Sequence, residues 1–162
     1  CRFEAAHHPA LHPGQSARVC LDGRSIGWLG VLHPRWQQHF QLPRSAILFE
    51  LELSPLQNLT LPAFTEVAKF PPVRRDIAVV VDETVPVQAL LDAMRAEKID
   101  VVKQIVLFDQ YHGAGVEAGK KSLAFLVLMQ DTQSTLTDDE VDVVVSKLVA
   151  AVVNRCGAAL RS

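Results

Sequence analysis

The sequence predicts an α+β fold built on a βαββαβ unit across residues 69–162, with a four-stranded antiparallel sheet and two helices on one face. Three observations predict it. Two helical apolar stripes, one after Pro86 and one after Thr137, are separated by two strand-like runs. A segment with three glycines, residues 112–119, joins those runs as a hairpin loop. A further alternating run precedes the first stripe, and a short one follows the second.

The first strand is expected over residues 75–82. Alternation puts Ile77, Val79 and Val81 on one face and Asp76, Ala78 and Val80 on the other. Pro86 then opens a helix where its missing N–H costs nothing. Val87, Leu90, Leu91 and Met94 follow at i, i+3, i+4 and i+7, a single apolar stripe. The second strand is expected over 101–109, with Ile105 and Leu107 toward the core and Val106 and Phe108 outward. The third, over 120–130, sends Leu123, Phe125, Val127 and Met129 one way and Ser122, Ala124, Leu126 and Leu128 the other.

The second helix has the clearest start. Thr137-Asp138-Asp139-Glu140 fits a capping box, with Leu136 and Val141 in the staple positions. The stripe Val141, Val144, Val145, Leu148, Val149 and Val152 carries the helix to Arg155, and Gly157 suits a left-handed C-terminal cap. Residues 158–161 form a short last strand. This order is that of the ferredoxin-like, split βαβ architecture. One sheet face lies under the helices and the other is left open.

Residues 1–54 read as β-rich but incomplete. Two alternating runs, 17–21 and 25–31, flank Asp22-Gly23, a hairpin signal because a type I′ turn needs positive φ at both central residues. A short helix is expected over 34–40 with Pro34 in its first turn, and another strand over 46–53. Residues 55–68, with Pro55 and Pro62, read as an extended linker. The opening Cys1-Arg2-Phe3-Glu4 resembles the middle of a strand, so a piece of a longer chain is expected.

Composition narrows the function classes. Apolar residues make up 49% and charged residues 21%, which suits a packed core rather than disorder. No apolar run is long enough to cross a bilayer, and no secretory signal opens the chain. Three scattered cysteines argue against a disulfide framework and for a reducing, cytoplasmic setting. A net charge of −2 is unusual for a free-standing nucleic-acid binder, though charge distribution matters more than the sum. His7, His8 and His12 with Cys1 and Cys20 fit no closed zinc spacing, so no metal site is expected. Asp109-Gln110-Tyr111-His112 gathers acid–base groups without an adjacent nucleophile. Gly113 and Gly115 open no helix and so form no phosphate cradle. No catalytic residue is expected.

The open sheet face remains. Small residues there admit a flat group, and an outward Phe108 is the kind of platform on which single-stranded bases stack. The basic pairs Arg74-Arg75 and Lys120-Lys121 fall near opposite ends of the sheet and would bracket a nucleic-acid backbone. The plainer alternatives are that Phe108 packs under the glycine-rich loop or another domain, and that the basic pairs are solvated strand ends. Apolar Val80, Leu126 and Leu128 on the same face also suit a protein contact.

The ordered series Phe70-Pro71-Pro72-Val73-Arg74-Arg75-Asp76-Ile77-Ala78, Leu107-Phe108-Asp109-Gln110-Tyr111, Gly113-Ala114-Gly115, Gly119-Lys120-Lys121-Ser122-Leu123-Ala124, Gln130-Asp131 and Thr135-Leu136-Thr137-Asp138 resembles the ferredoxin-fold anticodon-binding domain of phenylalanyl-tRNA synthetase beta subunits. In the first half, His12-Pro13-Gly14-Gln15-Ser16-Ala17 and Ile26-Gly27-Trp28-Leu29-Gly30-Val31-Leu32-His33-Pro34 resemble the end of the catalytically silent synthetase-like module of the bacterial-type subunit, with Val31 where the family usually has Glu. The resemblance implies binding of the tRNA(Phe) anticodon stem-loop. It implies a parent ligase that uses ATP and Mg²⁺ and assembles from two alpha and two beta subunits, and no ligase or editing activity in this chain alone. The RNA-contacting set expected on this basis is Arg74, Arg75, Asp76, Ala78, Phe108, Asp109, Tyr111, Lys120, Lys121 and Ser122.

Overall fold

The computed structural model describes residues 1–57 and 69–161. The chain divides into two compact units, Cys1–Phe64 and Thr65–Ser162. The expected linker at 55–68 lies outside the described residues except for its first three positions.

The first unit is a sheet of order β1-β2-β3-β4, formed by β1 (Arg2–Ala5), β2 (Leu11–Leu21), β3 (Arg24–Leu32) and β4 (Ile47–Leu51), all pairs antiparallel. Asp22 and Gly23 have φ of 50° and 80°, the two positive values that the two-residue turn requires. Helix α1 (Pro34–His39) starts on Pro34, and the His33 ring accepts the Arg35 N–H as its cap. Strand β1 pairs along β2, as the strand-like opening of the chain suggests. One element exceeds the sequence reading: a one-turn helix α2 (Leu53–Leu56) takes in Pro55, so these residues are not extended. Proline is tolerated there because the first turn of a helix has no partner for its N–H.

The second unit runs β5 (Val73–Asp82), α3 (Val87–Arg95), β6 (Val102–Tyr111), β7 (Lys120–Met129), α4 (Asp138–Cys156), β8 (Ala159–Leu160). Its sheet has the order β6-β7-β5-β8 with every pair antiparallel, the expected ferredoxin-like arrangement. Ile77, Val79 and Val81 of β5 meet Phe125, Leu123 and Lys121 of β7 in register, so one parity of each strand faces the helices. That layer closes on Leu90, Ala93 and Met94 of α3 and Val141, Val144, Leu148 and Val152 of α4. The core is therefore aliphatic around one ring, Phe125.

Helix α4 begins as the capping box predicts. The Thr137 N–H donates to Glu140 Oε2 at 2.8 Å, and the Glu140 N–H donates back to Thr137 Oγ1 at 3.4 Å. The Thr137 N–H, and after it the Thr137 hydroxyl, hold the Glu140 carboxyl below the usual carboxylate range. The helix ends on Gly157 at φ 64°, a left-handed cap. Thr137→Ala is expected to cost about 1 kcal/mol, read as a lower urea midpoint. Because the folded-state pKa of Glu140 is depressed, its share of the cap is present above the unfolded carboxylate pKa. It is lost as pH falls through the depressed value, so the mutational cost should shrink under acid conditions.

One strand departs from simple alternation. β6 ends at Tyr111 rather than 109, and its pairing to β7 slips twice, between Val102 and Gln104 and between Leu107 and Asp109. Lys103 and Phe108 are the residues left over. Past the second slip, Asp109 stands opposite Ala124 and Tyr111 opposite Ser122. A bulge inserts one extra residue and so reverses the parity of everything after it.

Candidate nucleic-acid interface

Strand parity defines the face away from the helices. β5 contributes Arg74, Asp76, Ala78 and Val80, and their β7 partners are Leu128, Leu126, Ala124 and Ser122. β6 contributes Gln104 and Val106 before its second bulge, then Asp109 and Tyr111 after it. Small side chains at Ala78, Ala124 and Ser122 make a shallow floor, because a methyl or hydroxymethyl group projects little above the pleat.

Two larger groups close over this floor. Beyond β8, the Arg161 N–H donates to the Ala78 carbonyl at 2.9 Å, extending the ladder by one residue. The Arg161 guanidinium then crosses the sheet. It donates to Ser122 Oγ at 3.1 Å, and its central carbon stands 5.3 Å from the centre of the Tyr111 ring. That distance is within cation–π range. Ser122 is only 3% exposed, and Tyr111 is 38% exposed. Among the described residues no carboxylate pairs with Arg161.

The loop after β6 holds Tyr111 from the other side. The Tyr111 hydroxyl donates to the Ala114 carbonyl at 3.3 Å. A Cβ at Gly113 would come within 2.8 Å of that hydroxyl, and φ there is 144°, so only glycine lets the loop pass this close. Tyr111 is thus pinned at its hydroxyl and at its face, an arrangement that fixes its plane before anything binds.

The expected contact set divides on this geometry. Ala78, Ser122 and Tyr111 come together around Arg161, with Asp109 one pair along from Tyr111 on the same face. Arg74 and Asp76 also share the face, with Arg74 Nε 3.6 Å from Asp76 Oδ1. Lys120 is paired with Glu117, whose carboxyl is held low first by that hydrogen bond and then by the lysine charge.

Three members are drawn elsewhere. Arg75 and Lys121 have the opposite parity and turn to the helix side. Arg75 reaches Asp138 at 2.9 Å, and Lys121, 8% exposed, donates to the Glu83 carbonyl at 2.9 Å. Alternation splits any adjacent pair between two faces, so neither basic pair presents both charges to the open side. Phe108 is 52% exposed, but it is the unpaired residue of the bulge, and the positions that continue the open row belong to Asp109 and Tyr111.

Arg161 was missed. The reading of 158–161 as a strand contained the signal, since a strand beside Ala78 and Ser122 carries an arginine over positions too small to block it. The histidines of the first unit are used locally: His8 Nδ1 accepts the Ala10 N–H and His12 Nδ1 the Gly14 N–H. Among the described residues no group of three or more His, Cys, Asp or Glu side chains converges to hold a metal ion. Nor is any helix among them long and apolar enough to cross a membrane.

An aromatic ring, a guanidinium and a hydroxyl around a small-residue floor suit a flat group with polar edges. Residues 68–161 match the family described as the ferredoxin-fold anticodon binding domain, and residues 1–53 match the phenylalanyl tRNA synthetase beta chain CLM domain. The chain is 57% identical over 161 residues to the phenylalanine–tRNA ligase beta subunit of Nitrosospira multiformis, covering 99% of this chain and 20% of that one. It is 49% identical to that of Dechloromonas aromatica and 43% identical to that of Nitrosococcus oceani, with 99% and 98% of this chain and 20% of each relative covered. It therefore spans about a fifth of the length of these relatives.

Proposed function

Because this chain belongs to the ferredoxin-fold anticodon-binding domain family, we propose that its open sheet face binds the anticodon loop of phenylalanine tRNA, as part of a phenylalanine–tRNA ligase beta subunit. The observation that carries the reading is the Tyr111–Arg161–Ser122 group over Ala78 and Ala124. A nucleobase offers a π-face to the tyrosine and polar edges to the guanidinium and hydroxyl. Asp109 and the Arg74–Asp76 pair lie along the same face, where they would meet a neighbouring base or its backbone.

In the parent enzyme, phenylalanylation with ATP and Mg²⁺ would proceed in the alpha subunit, within a cytoplasmic assembly of two alpha and two beta subunits. This chain would contribute position and selectivity rather than bond-making. Holding the anticodon here raises the effective concentration of the rest of the tRNA at its other contacts.

The test is binding of an anticodon stem-loop RNA to this chain, followed through backbone amide signals. Ala78, Ser122 and Ala124 are expected to shift. Tyr111→Ala is expected to weaken binding by roughly 1–3 kcal/mol, the stacking of one base. Equal affinity for the variant, with those amides unmoved, would remove the reading. A second reading, a contact surface for another protein chain, is favoured for the first unit by exposed Ile47, Phe49 and Leu53. Shifts confined to β4 on adding alpha subunit, with none on the open face on adding RNA, would put that reading first.

A further inference from the structure

We infer that a basic cleft at the outer edge of β6 holds the sugar–phosphate backbone of the RNA whose bases occupy the open face; the inference rests on the anticodon-binding reading above. The cleft, of about 590 Å³, lies where the C-terminal end of α3 meets β6. Arg95, Lys98 and Lys103 line it, against one carboxylate, Asp100. Lys103 Nζ donates to the Asp100 carbonyl at 2.9 Å. Among the described residues Arg95 and Lys98 have no ion pair, and both are exposed. The nearest acidic neighbour in sequence, Glu97, is engaged by Arg155 at 3.1 Å.

The position of the cleft is what points to RNA. Gln104 and Val106 line it, and both also stand on the open face, opposite Leu128 and Leu126. The cleft and that face therefore share β6, the edge strand of the sheet among the described residues. A strand of RNA leaving the sheet on this side would pass from the floor directly among three cations. The bulge at Lys103 leaves that residue without a cross-strand partner on the outermost strand. Phosphates neutralised there would add affinity without reading sequence, which is what a chain of net charge −2 needs from a local concentration of positive charge.

The test uses this chain and two RNA hairpins, the phenylalanine anticodon stem-loop and one with the same stem and a changed anticodon. Arg95→Gln with Lys98→Asn removes both charges. Lys98 has φ 49°, a left-handed conformation that asparagine tolerates, so the fold should survive. Binding near 0.1 M salt is expected to weaken on the order of tenfold or more, and the log–log salt slope to become shallower by about 1.4–1.8, as for two lost phosphate contacts. Both hairpins should lose the same factor, and Arg95→Lys with Lys98→Arg should restore affinity and slope. If wild type binds and the neutral variant keeps its affinity and slope, the cleft inference is overturned while the anticodon reading stands. If wild type binds neither hairpin, both fall.

Discussion

Replacing Phe125 with alanine is expected to destabilise the second unit by about 3–5 kcal/mol, the usual cost of removing a fully buried aromatic side chain. Phe125 has no exposed surface, and it stands in register between Ile77 on β5 and Leu107 on β6. Its surroundings are the flanking strands β5 and β6, each laddered to β7, and the two helices packed on that face, so they cannot collapse far into the vacated space. Since a domain this size is stable by only about 5–15 kcal/mol, the loss is a large fraction of the whole. Urea unfolding followed by far-UV circular dichroism measures it. Tryptophan fluorescence reports the first unit separately, because Trp28 and Trp36 both lie in it, and should show an unchanged transition. A cost below about 1 kcal/mol would mean that Phe125 is not the centre of this core.

Ala78→Trp should separate binding from stability. Ala78 stands opposite Ala124 on the open side, and its carbonyl accepts the Arg161 N–H. An indole there would fill the floor and stand between Arg161 and Ser122. The backbone bond from Arg161 to the Ala78 carbonyl does not involve the side chain, and tryptophan is favourable in strands. Losing the Arg161–Ser122 hydrogen bond should cost about 1–3 kcal/mol, short of unfolding the domain. Affinity for the anticodon stem-loop should fall by about tenfold or more, as expected when a stacked base loses its seat. Retained affinity would move the RNA to another surface.

The two substitutions bear on features of different legibility. Phe125 was readable as core from residues 120–130 alone, because a run of alternating apolar residues beside two helical stripes leaves one consistent inner face. The ends of α4 were equally readable, since the capping box and the glycine cap are chemical requirements met within a few residues of chain. The site was readable only in part. Ala78 and Ser122 lie on strands whose parity is unbroken, and they fall on the open face as alternation requires. Phe108 was read by the same rule, but the rule carries an error past any bulge, and the two on β6 are not marked by glycine or proline.

Local sequence signals by themselves determined α1, α3 and α4 and the inner face of each unbroken strand, since helix and strand patterns repeat every 3.6 or two residues and neighbours in sequence decide them. The order of those elements implied the strand order, and an ordered run of motifs the family. Tertiary structure decided which groups form the site. The bulge exchanged Phe108 for Asp109 and Tyr111 on the open row, and Arg161 reached across two strands to meet Tyr111 and Ser122. Ala78, Asp109, Tyr111 and Ser122 were in the expected set through the family resemblance, but strand register and the reach of a long side chain are set by what the adjacent strands place opposite, so Arg161 joins them only when residues 78, 111, 122 and 161 stand side by side.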